Sequence, residues 1–285
     1  MKLSVINTGN FKLDGGAMFG VVPKSLWSRT NPPDSNNLCT WAMRSLLIEQ
    51  GNQLLLIDTG IGDKQSDKFF SHYYLHGDDN LEKSLKSAGY GINDITDVFL
   101  THLHFDHCGG SVKWANKERT YLETVFKNAN YWSNKDHWKW ATEPNQREKA
   151  SFLKENILPI EESGQLKFVT KKEQLTKNIF QNIDVFFADG HTDSQMIPII
   201  NYNDLKIAFM ADLLPSTGHI PLPYVMGYDT RPLLTLKEKA YFLNLARKNN
   251  FKLFLEHDAK NECCSLKNSE KGVELSETFS LSEIL

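Results

Sequence analysis

The chain has 285 residues, of which 40% are hydrophobic and 24% are charged, as is usual for a globular protein with a sizeable core. Its formal net charge of −3 and its pI near 6.3 give no general electrostatic attraction for nucleic acid. No apolar run is long enough for a membrane span or a signal peptide, and the four cysteines form no disulfide pattern, so we expect a cytoplasmic protein.

Short apolar segments rich in β-branched and aromatic residues recur along the chain and predict β-strands. They cover residues 3–7, 43–49, 53–60, 97–102, 166–170, 183–190, 196–202, 205–212 and 251–258. Helical spacing of apolar residues predicts helices over 80–90, 147–157 and 235–250. Early strands follow one another and later strands alternate with helices. This order indicates an α/β (α+β) fold, an αββα sandwich of two mixed sheets with helices outside, as a single domain over 1–285.

Residues 9–40 lack a regular pattern and are dense in glycine, proline, asparagine and tryptophan. A loop of this length in a compact domain usually has a function. Its apolar side chains include Met18, Phe19 and Trp27. We therefore predict an irregular arm that lines a substrate pocket or packs against a second copy of the chain in a homodimer.

The densest group of polar side chains follows the predicted strand at 97–102. His102, His104, Asp106 and His107 form an H-x-H-x-D-H pattern within six positions. Alternate residues of an extended segment point the same way, so His102 and His104 can share one metal. The bend that the following glycine pair permits turns Asp106 and His107 toward a neighbouring position. Imidazole and carboxylate together suit zinc, iron or manganese.

Three further candidate ligands lie where predicted strands end: His191 in "GHTD", Asp212 in "MAD" and His257 in "EHD". If these strand ends converge on one rim, the chain supplies five histidines and two aspartates, which is enough for two metals. The other histidines are expected in polar or turn-like surroundings without partners; they are His72, His76, His137 and His219.

These motifs resemble the metallo-β-lactamase superfamily, and they occur in its order along nearly the whole chain: "LLLIDTG" at 54–60, H-x-H-x-D-H, "GHTD", the strand-ending Asp212 and the late "EHD". Within it, "LDGGAMFGVVPKSLW" and "DGHTDSQMIP" resemble the branch of YtnP-type quorum-quenching N-acyl-homoserine lactonases, which has methyl-parathion hydrolases as relatives.

The resemblance implies a metallo-β-lactamase fold with two divalent metal ions, zinc first and iron, cobalt or manganese as alternatives. The ligands of one ion would be His102, His104 and His191, and those of the other Asp106, His107 and His257. Asp212 would bridge the two ions. Asp58 would orient a ligand imidazole, or it caps the "DTG" bend. Cys108 is interpreted as a small buried packing residue.

The expected reaction is hydrolysis by a metal-bridging hydroxide, because divalent metals bring the pKa of bound water from 15.7 to about 7. Asp106 would act as ligand and as proton shuttle, as the family suggests. The loop with Tyr224, Met226 and Tyr228 would contact an acyl or aryl group of a small-molecule substrate, and Tyr228 would hydrogen-bond a lactone carbonyl. Both tyrosines are equally compatible with packing or with a subunit contact.

The sequence thus predicts an enzyme that opens the lactone ring of N-acyl-homoserine lactones, with no nucleic-acid or membrane partner. An organophosphate triesterase, a phosphodiesterase or a β-lactam hydrolase on the same site is the alternative. No G-x-S-x-G motif indicates a serine nucleophile. A di-iron redox or sensor protein is disfavoured, because neither a flavodoxin-like nor a rubredoxin-like extension follows residue 260 and no CxxC pair occurs.

Overall fold

The computed structural model of the protein describes residues 1–270 and 272–285, which form a mixed α/β fold. Its strands are β1 Lys2–Asp14, β2 Leu38–Gln50, β3 Gln53–Ile57, β4 Asp97–Phe99, β5 Val112–Trp114, β6 Leu122–Thr124, β7 Asn130–Asn134, β8 Leu166–Val169, β9 Leu175–Phe180, β10 Ile183–Ala188, β11 Gln195–Tyr202, β12 Leu205–Phe209, β13 Lys252–Phe254, β14 Cys263–Ser269 and β15 Gly272–Phe279. Its α-helices are α1 Gly15–Phe19, α2 Lys24–Trp27, α3 Asp67–Phe70, α4 Leu81–Ser87, α5 Phe105–Cys108, α6 Lys135–Thr142, α7 Lys154–Glu162 and α8 Pro232–Lys248. Among the described residues, every helix is too short or too polar to cross a membrane.

The strands form two large sheets. One sheet has the order β1-β2-β3-β4-β7-β8, the other has the order β15-β14-β13-β12-β11-β10-β9, and β5 pairs with β6. The expected fold class, mixed sheets accompanied by helices, is confirmed. Met1–Gly9 and Met43–Thr170 form one compact unit, called the first unit below, and Asn10–Ala42 and Lys171–Leu285 form the second unit. A single domain over 1–285 stays a prediction.

In the first unit, β3, β4, β7 and β8 pair in parallel. β3 and β4 are almost continuous apolar runs, typical of buried parallel strands, and Leu56 pairs with Val98 between them. Parallel neighbours end at the same edge of a sheet. Asp58 after β3 and Thr101 after β4 therefore lie side by side, and the amide of Thr101 donates to the Asp58 carboxylate at 2.8 Å.

In the second unit, β9 to β12 are antiparallel neighbours, whereas β12 and β13 are parallel. The parallel pair is connected through α8, as a crossover requires. β10, β12 and β13 therefore run in the same direction and end at one edge of the sheet. His191, Asp212 and His257 follow these three ends, so strand direction places them at the same edge.

The segment 9–40 is more regular than predicted. β1 continues to Asp14, whose carboxylate caps α1 by accepting a hydrogen bond from Ala17 N at 2.8 Å. Trp27 in α2 is buried, and a Cβ added at Gly15 would lie 2.3 Å from its ring. The structure thus has the end of β1, two short helices and the start of β2 in this segment, while residues 28–37 contain neither helix nor strand. Its role as a substrate-pocket or dimer arm stays a prediction.

The other predictions of regular structure differ in outcome. A strand overlaps each of the nine predicted segments, and the helices over 80–90 and 235–250 are confirmed. The helix over 147–157 begins later than predicted, at Lys154, because Glu148 is buried inside a turn instead of lying on a solvated helix face. β5, β6, β7, β9, β14 and β15 were not predicted, because they are short or carry many polar residues.

Candidate metal centre

The H-x-H-x-D-H stretch leaves β4 and turns into the short helix α5. His104 still has extended backbone, with φ −65° and ψ 151°. His102 Nε2 lies 3.0 Å from His104 Nδ1, so both imidazoles present a nitrogen to the same place. Asp106 Oδ2 lies 3.8 Å from His107 Nε2, and the rings of His102 and His107 are 3.9 Å apart. The first unit thus brings these four residues together.

The glycine pair behind this stretch packs directly on the loop that follows β3. A Cβ at Gly109 would lie 2.2 Å from Ile61 O, and a Cβ at Gly110 would lie 2.2 Å from Thr59 O. Thr59 N donates a hydrogen bond to His107 O at 2.8 Å. Only glycine permits this close approach of two backbones, so the pair fixes the position of α5.

Asp58 lies at the turn after β3, in left-handed backbone with φ of 57°. Its carboxylate accepts hydrogen bonds from Thr101 N at 2.8 Å and from the Thr101 hydroxyl at 2.6 Å. The oxygen that accepts from the hydroxyl also lies 3.0 Å from His107 Nδ1. Asp58 therefore contacts both the turn that it occupies and the ring of a candidate ligand.

In the second unit, one carboxylate lies between two imidazoles. Asp212 Oδ2 is 3.1 Å from His191 Nε2, and Asp212 Oδ1 is 3.1 Å from His257 Nε2. Each carboxylate oxygen is thus directed at a different histidine. A carboxylate that is shared by two neighbouring cations is expected to present its oxygens in this way.

An oxygen atom also lies against the other ring nitrogen of each candidate histidine. In the first unit these contacts are Thr101 Oγ1 to His102 Nδ1 at 3.1 Å, Glu148 Oε1 to His104 Nε2 at 3.4 Å and Asp58 Oδ2 to His107 Nδ1 at 3.0 Å. In the second unit they are Asp229 Oδ1 to His191 Nδ1 at 2.8 Å and Ala42 O to His257 Nδ1 at 2.7 Å. Oxygen partners of this kind fix the tautomer and the ring orientation of metal-ligating histidines.

The charge around His191 favours a cation. Burial disfavours its protonated ring, but the carboxylates of Asp212 and Asp229 outweigh burial and raise the pKa of His191 to about 10. All seven candidate ligands are buried. Buried carboxylates need a compensating positive charge, and a field that favours a proton on His191 favours a metal cation at the same place.

The donor set fits divalent metal ions. Both units offer clusters of imidazole nitrogen and carboxylate oxygen, which are ligands of zinc, iron, cobalt and manganese. Cys108 beside them is buried, and its thiol donates to Leu103 O at 3.3 Å. Burial raises the pKa of the Cys108 thiol to about 12, which agrees with a neutral packing residue.

His137 and His219 are buried and hydrogen-bonded, so the expectation that they lack partners is wrong. His137 Nε2 accepts from Leu103 N at 2.8 Å. His219 Nε2 lies 2.9 Å from Met18 O, and its Nδ1 lies 2.8 Å from the Ser216 hydroxyl. Burial lowers the pKa of His219 to about 4, which keeps this ring neutral.

Several predicted substrate residues pack together in the second unit. The Phe19 ring stacks on Trp27 with 5.3 Å between ring centroids, and Tyr224 meets Phe19 edge-on at 6.3 Å. Met18 and Met226 are also buried. Tyr228 is 39% exposed. A homodimer formed through this arm stays a prediction.

Tyr224 also lines an apolar cavity of about 790 Å³ in the second unit. The walls come from the end of α2, the loop after residue 217, helix α8 and strand β15. Apolar side chains in these walls are Leu26, Ile220, Leu222, Leu243, Val273 and Leu275. The volume lies in the range that ligand pockets usually have.

Helix α8 makes hydrogen bonds to two loops, the one over residues 219–224 and the one before His191. The buried Lys239 ammonium donates to three carbonyl groups of the 219–224 loop, at 3.0, 3.2 and 2.8 Å. The neighbouring Glu238 accepts from the N–H groups of residues 189–190 at 2.8 and 2.9 Å, directly before His191. Adjacent side chains of one helix thus fix the 219–224 loop and the turn of His191.

Glu148 and Asp229, carboxylates beside His104 and His191, were not predicted as functional residues. Neither follows a predicted strand, and neither belongs to a ligand motif. For Asp229 the sequence does offer a signal, because this residue is the carboxylate that ends the largely apolar stretch "IPLPYVMGYD". Glu148 lies in a run of polar residues, so nothing in the local sequence distinguishes it from a solvent-exposed glutamate.

A model of the metallo-beta-lactamase superfamily matches residues 44–257. An N-acyl homoserine lactonase from Bacillus thuringiensis is 27% identical over 121 residues, which cover 38% of this chain and 47% of that protein. An N-acyl homoserine lactonase from Bacillus cereus is 26% identical over 145 residues, or 47% of this chain and 50% of that protein. The chain therefore spans about half the length of the curated relatives that it matches.

Among solved structures, a "probable metal-dependent hydrolase" from Staphylococcus aureus is similar at a TM-score of 0.84 and 27% identity, over 98% of both chains. AidC, described as a dizinc quorum-quenching lactonase with a bound product, matches at a TM-score of 0.78 and 23% identity, over 98% of this chain and 95% of that one. The second likeness is one of fold alone. Because the family model extends from β2 to His257 and so covers most of the sequence, this chain belongs to the metallo-beta-lactamase superfamily.

Proposed function

We propose that the protein is a dinuclear metal-dependent hydrolase that opens the lactone ring of N-acyl-homoserine lactones. The observation that carries this proposal is the Asp212 carboxylate, which directs one oxygen at His191 and the other at His257. Membership of a superfamily of metal-dependent hydrolases supports the reaction type. The lactonases of Bacillus among its relatives support the substrate class.

In this proposal the ligands of one metal are His102, His104 and His191, and those of the other are Asp106, His107 and His257. Asp212 serves both. We propose zinc, because nitrogen and oxygen donors suit it and because the similar AidC is described as a dizinc protein. When bound, such metals lower the pKa of a water molecule and polarise the substrate carbonyl.

Side chains of the protein would carry out the proton transfer and hold the substrate in place. Opening a lactone consumes one water molecule and leaves an alkoxide that needs a proton. We assign to the Asp106 carboxylate the role of accepting a proton from that water and passing it to the alkoxide. Tyr228 would donate a hydrogen bond to the lactone carbonyl oxygen. Support for this role comes from Asp229, the next residue, which lies 2.8 Å from His191 and so ties the position of Tyr228 to a candidate ligand.

The apolar cavity beside Tyr224 supports a substrate that carries an acyl chain. Its walls are mainly aliphatic, and its volume of about 790 Å³ accommodates a medium-length chain. A compact polar head with an aliphatic tail therefore suits the second unit better than a highly charged substrate. We propose that the acyl chain binds in this cavity.

The test combines metal analysis of the purified protein with turnover of short-, medium- and long-chain N-acyl-homoserine lactones, an aryl phosphotriester and a β-lactam. We expect two metal ions per chain and the highest kcat/KM for a lactone. A protein with both ions bound that leaves every lactone intact would refute the proposal. Faster turnover of the phosphotriester would assign an organophosphate triesterase instead.

A further inference from the structure

A buried carboxylate in an otherwise solvent-facing turn lies beside His104. Glu148 belongs to the connection between α6 and α7, and its neighbours from Glu143 to Ala150 are exposed or half-buried. Glu148 itself is only 3% exposed. Burying a carboxylate costs free energy unless the charge is hydrogen-bonded or paired, so its partners indicate why it lies there.

One oxygen of Glu148 is held by two neutral donors. Trp140 Nε1 donates to Oε2 at 2.7 Å, and Asn145 Nδ2 donates to the same oxygen at 2.6 Å. The amide oxygen of Asn145 accepts from Glu148 N at 3.1 Å, which folds the turn around the carboxylate. These contacts fix the orientation of the group and leave Oε1 at 3.4 Å from His104 Nε2.

The same connection contacts the ligand stretch at two further points. Ser151 O accepts a hydrogen bond from Phe105 N at 3.0 Å. The Phe152 ring lies 4.7 Å from the His104 ring. A carboxylate, an aromatic ring and a backbone hydrogen bond therefore support His104 and its neighbour from one segment.

We propose that Glu148 is a positioning residue that sets the metal affinity of the His102–His104 pair. This inference rests on the proposed function, because it concerns the metals of that centre. His104 presents Nδ1 toward His102, so the proton of its neutral ring belongs on Nε2, and Glu148 Oε1 lies 3.4 Å from that nitrogen. A negatively charged acceptor fixes this tautomer, aligns the ring and makes Nδ1 a stronger donor to a cation.

His104 and His102 differ in the charge of the group beside the outer ring nitrogen. The nitrogen of His102 that faces away from His104 meets the neutral hydroxyl of Thr101 at 3.1 Å. Against the outer nitrogen of His104 lies instead the carboxylate of Glu148, at 3.4 Å. Loss of the Glu148 charge should therefore weaken one ligand without dismantling the pair.

The experiment compares Glu148→Gln, Glu148→Asp and the matched control Glu143→Gln, which changes an exposed glutamate of the same connection. Zinc is removed from each protein, and the affinities of the two sites are measured by competition with a chromophoric chelator. We expect Glu148→Gln to lower the zinc affinity of one of the two sites by about 10–100-fold. Glu148→Asp should recover part of this loss, and Glu143→Gln should match the wild type.

Two additional measurements separate positioning from general stability. The absorption spectrum of the cobalt-substituted protein should change in Glu148→Gln, because the ligand field at one ion changes. Thermal unfolding of the metal-free proteins should be similar for Glu148→Gln and the wild type. Equal zinc affinities together with a lower melting temperature of the metal-free variant would overturn the proposal and assign Glu148 a structural role.

The outcomes also separate this inference from the function on which it rests. If the wild-type protein binds no divalent metal, the proposed function fails. If the wild type binds two ions and opens lactones while Glu148→Gln binds both ions equally well, only the positioning role fails.

Discussion

The two units supply their candidate ligands in different ways. In the first unit, four of them follow a single strand within positions 102–107. In the second unit, His191, Asp212 and His257 follow three different strands, which end at one edge because they run in the same direction. The first arrangement is a property of the local sequence, whereas the second is a property of the sheet topology.

The difference extends to the residues that support the ligands. Asp58 binds the turn after β4 through Thr101 and at the same time contacts His107. Asp229 contacts His191 from a loop that lies 38 positions later in the sequence. Asp58 thus supports His107 directly and His102 through Thr101, whereas Asp229 supports His191 alone among the candidate histidines in the contacts given above.

Replacement of the shared carboxylate should have the largest effect. In Asp212→Ala, His191 and His257 both lose the group between them, so we expect loss of both metals and of turnover. The loss should exceed the roughly 10–100-fold cost that is typical of residues supporting a ligand. Metal content after dialysis and kcat/KM with a lactone measure it. Asp204→Ala, in the exposed turn between β11 and β12, is the control. Full metal content in Asp212→Ala would contradict the comparison.

Removal of the metals should affect the second unit more than the first. The α5 stretch keeps contacts that need no metal, such as Thr59 N to His107 O at 2.8 Å. Under the proposed function, Asp212 would lose the cations that balance its buried charge. After chelation, we expect hydrogen exchange to accelerate more at residues 211–213 than at 105–108, and added zinc should reverse it. Equal acceleration in the two segments would show that both depend on metal alike.

Neutralising the supporting carboxylates should distinguish the shared support from the separate one. Asp58→Asn cannot accept from both Thr101 N and His107, because one oxygen becomes an amide group that only donates. Asp229→Asn can keep its amide oxygen toward His191. Both changes should weaken zinc binding by roughly 10–100-fold, with Asp58→Asn at the upper end. A larger loss in Asp229→Asn would reverse this ranking.

The smallest expected effect concerns Lys239 and pH. Burial lowers the pKa of Lys239 to about 7, although Asp229 opposes this shift. The pKa in an unfolded chain is about 10.4, so the unfolded chain binds more protons between these values and the contribution of Lys239 to stability rises with pH across that window. Denaturant unfolding of metal-free protein between pH 7 and 9 should show a smaller rise in Lys239→Met. Lys237→Met, an exposed lysine of the same helix, should match the wild type.

Sequence alone predicted the features that are local. The apolar runs before Asp58, His102 and His191 gave the strands, and the spacing of His102 and His104 gave their common direction. It missed Glu148, because the burial of a glutamate in a polar turn depends on Trp140 and on a histidine from a distant part of the chain. β14 and β15 were missed for a related reason, since they pair as a largely polar hairpin.

Helix α8 has an evolutionary consequence, because its Glu238 and Lys239 hold the His191 turn and the 219–224 loop at once. A change in that loop that shifts α8 transmits the shift to a candidate ligand. Altered substrate preference in this protein should therefore arise through side-chain replacements that spare the backbone of the loop, while insertions there should cost metal occupancy as well as selectivity.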